Sequence, residues 1–225
     1  MNKENFKYII LDQRHPLTPV GFKYQRELFT FWRGYWNDIL RSVGLQEEEM
    51  DPAEFYDQHK VTAILYKGSV VTMHLLSFVH RPQYASSPYL ARFNEELKNH
   101  FLHSSINSFL TLQYLTYNSA LKSAKEGPFR YLGMVMGTLS TLHKELENVD
   151  AVVSVTRKDL GVSNSLAKMN FQSIDGGQYN NTPVAFQIST DPKMYPHEEV
   201  ASLVQYFWNN RIEINNPKTQ SGEAA

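Results

Sequence analysis

Apolar positions along this chain follow two rhythms, and the switches between them divide it into strands and helices. A compact apolar run from Phe6 to Leu11, stopped by a polar stretch ending at Pro16, predicts a first strand. Thr18 and Pro19 then form an N-cap and first-turn pair. Leu28, Phe31/Trp32, Tyr35/Trp36, Ile39/Leu40 and Val43 recur at spacings of three and four until Gly44, so the next element is a long helix with a strongly aromatic face. Asp51 and Pro52 open a short helix to Gln58. Val61–Tyr66 and Ser69–Val79 are β-rich and flank Lys67-Gly68, which predicts a hairpin with a two-residue turn. A loop follows, then a helix from Tyr89 to His103 and a strand from Phe109 to Tyr117. A helix ending near Glu147 leads to Ala151–Val155, a β-branched run of the kind buried on both faces. Val162, Leu166 and Met169 keep helical spacing, with Asp159 expected to cap that helix. Gln172–Asp175 and Pro183–Ser189 form a last strand pair about a turn at Gly176-Gly177, and Pro196–Asn210 is a terminal helix. Residues 1–210 are therefore expected to form a single α/β domain, with 211–225 a disordered tail.

Composition narrows the partners. The chain has 225 residues, 42% of them hydrophobic, enough to bury one sizeable core. A formal net charge of −1 gives no electrostatic footprint for nucleic acid or a membrane surface, and no apolar run reaches the roughly 20 residues of a membrane span. The absence of cysteine excludes disulfides, Cys nucleophiles and Cys-ligated zinc, and the start carries no signal-peptide core. A cytoplasmic protein is expected. His74 and His80 share one side of a regular strand and His100 and His103 one helical face, but neither pair has a third ligand, so no metal is expected.

The stretch from Ala151 to Phe171 carries the first clue to function. A buried strand, a short helix ending Lys168-Met169-Asn170-Phe171 and a closing strand pair resemble the end of the GNAT acyltransferase fold. Lys168, Asn170 and Phe171 fall at the family's Lys, Gly and Phe positions, and Asn tolerates the positive φ that Gly would adopt there. Asp159 falls at the family's Asn, on the cofactor side, Val162 at its Ala, and Leu166 where many members carry an acid Tyr. The resemblance implies a mixed central sheet flanked by helices, here with an extra helix before the central strand and another at the C-terminus. It also implies that Phe109–Tyr117 and Ala151–Val155 are parallel neighbours that diverge, opening a slot for the pantetheine arm of acyl-CoA or an acyl carrier protein.

In such a slot a strand N–H polarises a thioester carbonyl, and an amine attacks it as a base takes the amine's proton. Gln113 stands where a Glu base is common and cannot serve as one. It is a candidate for positioning water or the carbonyl. Tyr114 and Tyr117 are the other catalytic candidates; with Tyr131 they are alternative proton donors to the thiolate, none expected to be indispensable.

Arg130-Tyr131-Leu132-Gly133-Met134-Val135 resembles the family's phosphate loop, with Val135 in place of the last small residue. Packing is an alternative role for Gly133, which recurs with Gly137 and Thr141 every four residues. Lys122 and Lys125 precede the loop and are candidates for phosphates or an acidic carrier protein. The early helix reads YQRELFTFWRGYW, which resembles acyl-homoserine lactone synthases and N-acyl amino acid synthases; Arg26, Phe29, Arg33 and Trp36 are its substrate-side candidates. A solvated charged face would space the two arginines alike, and most of the rings equally suit a core. The expectation is an N-acyltransferase using an acyl thioester and a small amine; the alternative is a GNAT-like protein that binds a thioester or protein partner without catalysis.

Overall fold

The computed structural model describes residues 3–45, 47–84, 86–91, 95–118, 127–179 and 182–215. Its elements in chain order are β1 Phe6–Asp12, α1 Pro19–Ser42, α2 Ala53–Tyr56, β2 Lys60–Tyr66, β3 Ser69–His80, α3 Pro88–Ala91, α4 Glu95–His103 and β4 Ser108–Tyr117. Then come α5 Leu132–Thr141, α6 His143–Glu147, β5 Ala151–Arg157, α7 Val162–Ala167, β6 Gln172–Tyr179, β7 Thr182–Ser189, α8 Glu198–Asn209 and β8 Ile212–Ile214. The strands form one mixed sheet in the order β6-β7-β5-β4-β3-β2-β1-β8, parallel at β4/β5 and β1/β8.

Local chemistry fixes the boundaries. Thr18 accepts a hydrogen bond from Gly21 N–H at the start of α1, and Gly44 beyond its end takes a left-handed φ of 86°. The β2–β3 turn has positive φ at both Lys67 (48°) and Gly68 (84°), the pattern of a type I′ hairpin. Asn170 adopts φ 66° after α7, the left-handed state expected of a stand-in for Gly.

Two layers of helices cover the sheet. Leu28, Trp32 and Leu40 of α1 pack with Phe55 on Ile9, Leu11, Val61 and Ala63. On the other face Val135, Met136 and Leu139 of α5 and Val200, Val204 and Phe207 of α8 pack on Tyr8, Ile10, Ile64 and Val71. The segment before the central strand joins the core through Leu90 and Phe101, whose ring meets Phe109 at 4.9 Å and Phe186 at 5.5 Å.

Several expectations need correction. Gly176-Gly177 is not the last hairpin's turn: it lies inside β6 as a bulge, with a register shift between Asp175 and Gln178 and Gly177 at φ 72°. β6 runs on past it until Tyr179 pairs with Thr182. Asp159 does not cap α7; that position is Gly161, and the Asp159 carboxylate pairs with Arg157 at 2.7 Å. Residues 212–214 are not tail but the edge strand β8, parallel to β1. The expected helix 89–103 is seen as α3 and α4, with 92–94 outside the described residues, and the helix before Glu147 is divided at Leu142 into α5 and α6.

Candidate functional site

The site begins where the central ladder stops. β4 and β5 pair from Phe109/Ala151 to Leu112/Ser154, yet β4 continues to Tyr117 and β5 to Arg157. The Ser154 hydroxyl donates to the Leu112 carbonyl at 3.0 Å and closes the last rung. Beyond it the strands part, and a cavity of about 440 Å³ opens through the gap. Its wall is mostly apolar: Trp36 and Ile39 from α1, Val43 just past its end, Met134 from α5 and Leu166 from α7.

The backbone of β4 accounts for the separation. Its ladder with β3 shifts register between Met73 and Leu75, and Tyr114 opposite this break has φ 56°. A left-handed Tyr costs about 1–2 kcal/mol and is retained only where its surroundings over-determine it. The bulge bends β4 away from β5 and re-aims side chains.

Neighbours in a regular strand point to opposite faces, but Gln113 and Tyr114 both reach the α2 segment. The buried Gln113 amide donates to Gln58 Oε1 at 3.2 Å and to Thr111 Oγ1 at 2.9 Å. The Tyr114 hydroxyl donates to Glu54 Oε2 at 2.9 Å. Its ring is held edge-on by Trp32 at 5.7 Å and Trp36 at 5.1 Å, and the Trp36 indole N–H donates to Thr116 Oγ1 at 2.9 Å.

Tyr117 turns to the α5 side. A Cβ on Gly133 would lie 1.6 Å from its hydroxyl oxygen, so Gly133 is glycine because the tyrosine occupies that space. Burial raises the Tyr117 pKa well above the usual phenol range, and the group stays protonated near neutrality.

The phosphate-loop candidates scatter. Gly133 and Met134 line the cavity, but Val135 is fully buried in the core under α5, and Arg130 is exposed with its guanidinium 5.4 Å from the Tyr131 ring. Lys122 and Lys125 lie outside the described residues. Among the α1 candidates only Trp36 lines the cavity. Arg26 is exposed, Phe29 packs against the rings of Trp32, Phe55 and Tyr56, and Arg33 is salt-bridged to Glu49 above the Phe29 ring. Asp159 is exposed; the adjoining Arg157 guanidinium lowers its pKa and holds it ionised.

Residues that the sequence did not assign to this site also belong to the wall. His74 lines the cavity and shares a 2.9 Å hydrogen bond with Ser140; burial lowers its pKa to about 3, so it is neutral at ordinary pH. Arg157 and Thr156 extend the β5 side, where Thr156 meets the Gln187 amide at 3.3 Å. Glu54 reaches the wall through Tyr114. An acidic residue at the start of a four-residue helix carries no sequence signal of that contact. Among the described residues, no group of three or more His, Asp or Glu could hold a metal, and no helix is long and apolar enough to cross a membrane.

No family profile matches the chain, and no curated protein sequence matches it. Solved structures do. An agmatine N-acetyltransferase superposes with a TM-score of 0.57 at 14% identity, covering 81% of this chain and 99% of that one. FeeM, an N-acyl amino acid synthase from uncultured soil microbes, gives 0.51 at 10% identity over 94% and 97%. BjaI, a CoA-dependent acyl-homoserine lactone synthase solved with SAM and isopentyl-CoA, gives 0.54 at 10% over 92% and 93%. The chain therefore has the fold of the GNAT acyltransferases.

Proposed function

We propose that this GNAT-fold chain is an N-acyltransferase that moves an acyl group from an acyl thioester, on CoA or an acyl carrier protein, to a small amine such as an amino acid. One observation carries the reading: the parallel β4/β5 pair stops after Leu112/Ser154 and the gap opens into an apolar cavity of about 440 Å³. A gap between two parallel strands suits the amide-rich arm of a thioester donor, which can run alongside their backbone. The Leu112 carbonyl faces β5, and Tyr114, two residues on, stands where the strands part and lines the same cavity, so its N–H is the donor this reading assigns to the thioester carbonyl. A thioester carbonyl against that N–H would be polarised among mostly apolar walls. Trp36, Ile39 and Val43 offer the tail an apolar wall.

The thiolate leaves beside Leu166, an apolar side chain lining the same cavity. A free thiol has a pKa of roughly 8.5 and leaves moderately well unaided. The Gln113 side chain, bonded to Gln58 and Thr111, holds the wall rather than a proton.

A second reading, thioester binding without transfer, is favoured by the same two residues: Gln113 offers no base and Leu166 no acid. Mass spectrometry of the protein with octanoyl-CoA, decanoyl-CoA and a panel of amino acids and agmatine separates the two. N-acyl products absent from enzyme-free controls support transfer. Saturable acyl-CoA binding without product supports the second reading, and neither product nor binding contradicts both.

A further inference from the structure

Transfer to an amine releases a proton, and this inference rests on the acyltransferase reading above. We propose that Tyr114 Oη takes the proton of the attacking amine while passing its own to Glu54, so that the two act as the base of the reaction. As the nitrogen forms its C–N bond and the C–S bond breaks, one proton leaves the nitrogen for Tyr114 Oη and the tyrosine's own proton moves to Glu54 Oε2. The thiolate takes a proton from water and Glu54 later returns one, leaving amide and thiol.

Three features point to this pair. The strained φ of 56° falls at Tyr114 itself, where the strands separate and where an N–H would meet the thioester carbonyl. The bulge sends Tyr114 to the same side as Gln113, so its hydroxyl reaches Glu54 at 2.9 Å, within proton-transfer distance. The ring is clamped edge-on between Trp32 and Trp36, which leaves the hydroxyl little freedom to swing away.

Other polar groups in the wall fit the role less well. Gln113 has no basic atom. His74 is a weak base already bonded to Ser140. Arg157 is a cation paired with Asp159, and Tyr117 stands on the α5 side against Gly133. Charged and titratable groups on the elements around the pair include Arg33 with its partner Glu49 and Tyr35 on α1, Tyr56 on α2, and Asp51 and Asp57 on either side of it. Arg33 and Glu49 offset each other in charge.

The test uses the full chain, decanoyl-CoA and an equimolar mixture of the common amino acids, following thiol release against pH. Tyr114→Phe keeps the ring between the two tryptophans, and Glu54→Gln keeps an acceptor for the hydroxyl, so neither removes the packing. Each is expected to lower kcat at neutral pH by roughly 10²- to 10⁴-fold with the KM for decanoyl-CoA unchanged. The loss should shrink as alkaline pH supplies more free hydroxide, and Glu54→Asp should recover part of the rate. The double variant should be little worse than the poorer single one, since the two act as a unit. Wild-type kcat in Glu54→Gln, or a raised KM for the amino acids with kcat intact, would reduce the pair to a structural or binding contact and overturn the proposal. A wild-type protein that releases no thiol would instead remove the acyltransferase reading beneath it.

Discussion

The two halves of the sheet use similar residues to opposite ends. β1 and β2 pair along all seven residues from Phe6/Tyr66 to Asp12/Lys60, with both faces sealed by helices. β4 and β5 pair over four and then part. The first half is what a continuous apolar strand does when nothing interrupts it. The second shows one left-handed residue and one register shift where the same material opens into a cavity. Aromatic rings mark the border: Trp32 is fully buried in the sealed half, whereas Trp36, one helical turn on, faces the cavity.

If that contrast is right, truncations should cost unequal amounts on its two sides. Trp32→Ala removes a ring packed on Phe29, Phe55 and Tyr114 and should cost about 3–5 kcal/mol in urea unfolding. Leu166→Ala enlarges a void that already exists, so it should fall near the lower end for buried leucines, about 2 kcal/mol. Equal losses at the two positions would mean the cavity side is packed as tightly as the sealed side.

A smaller effect is expected at the contact between Tyr117 and Gly133. Gly133→Ala must displace the hydroxyl and should cost about 1–3 kcal/mol, largely recovered in a Gly133→Ala/Tyr117→Leu double variant. Additive losses would show that the two residues are not in contact.

The same contrast should appear on acidification. His74 has a folded pKa lowered from 6.5 to about 3 by burial, so below 6.5 the unfolded chain binds a proton that the folded one refuses. Its contribution is therefore complete above pH 6.5 and is lost progressively as pH falls toward 3. Denaturation midpoints measured across that window should decline, and His74→Asn should flatten part of the decline. His143, lowered well below the ordinary value by burial and by Lys60, contributes in the same direction, as do His59, Asp12 and Glu147. The least effect belongs to the exposed Arg157–Asp159 pair, where Asp159→Ala should leave the melting temperature unchanged within error.

Much of this architecture was legible in the sequence. The helical face of α1 and the Lys67-Gly68 hairpin follow from periodicity and turn chemistry, and the parallel strands around the gap and the left-handed Asn170 from the resemblance to the GNAT fold. What was not legible depends on contacts distant in sequence or on conformations a residue does not prefer. Gly176-Gly177 has the chemistry of a turn and of a bulge alike, and only pairing with β7 decides between them. Asp159 is an adequate cap, but Arg157 two residues earlier offers a charged partner. Arg33 resembled a substrate contact until Glu49 claimed it. Nothing in a tyrosine announces φ 56°, so Tyr114 looked dispensable although it stands where the strands part.

The central claim is that the gap beyond Leu112 and Ser154 receives an acyl thioester. The most direct measurement is a crystal structure with an acyl-CoA analogue in which the thioester sulfur is followed by a methylene, leaving a ketone that cannot be transferred. The account predicts the arm of the analogue between β4 and β5, its ketone oxygen within hydrogen-bond distance of Tyr114 N–H, and its tail along Trp36 and Ile39. An analogue bound elsewhere on the protein, with the gap filled by side chains, would contradict it.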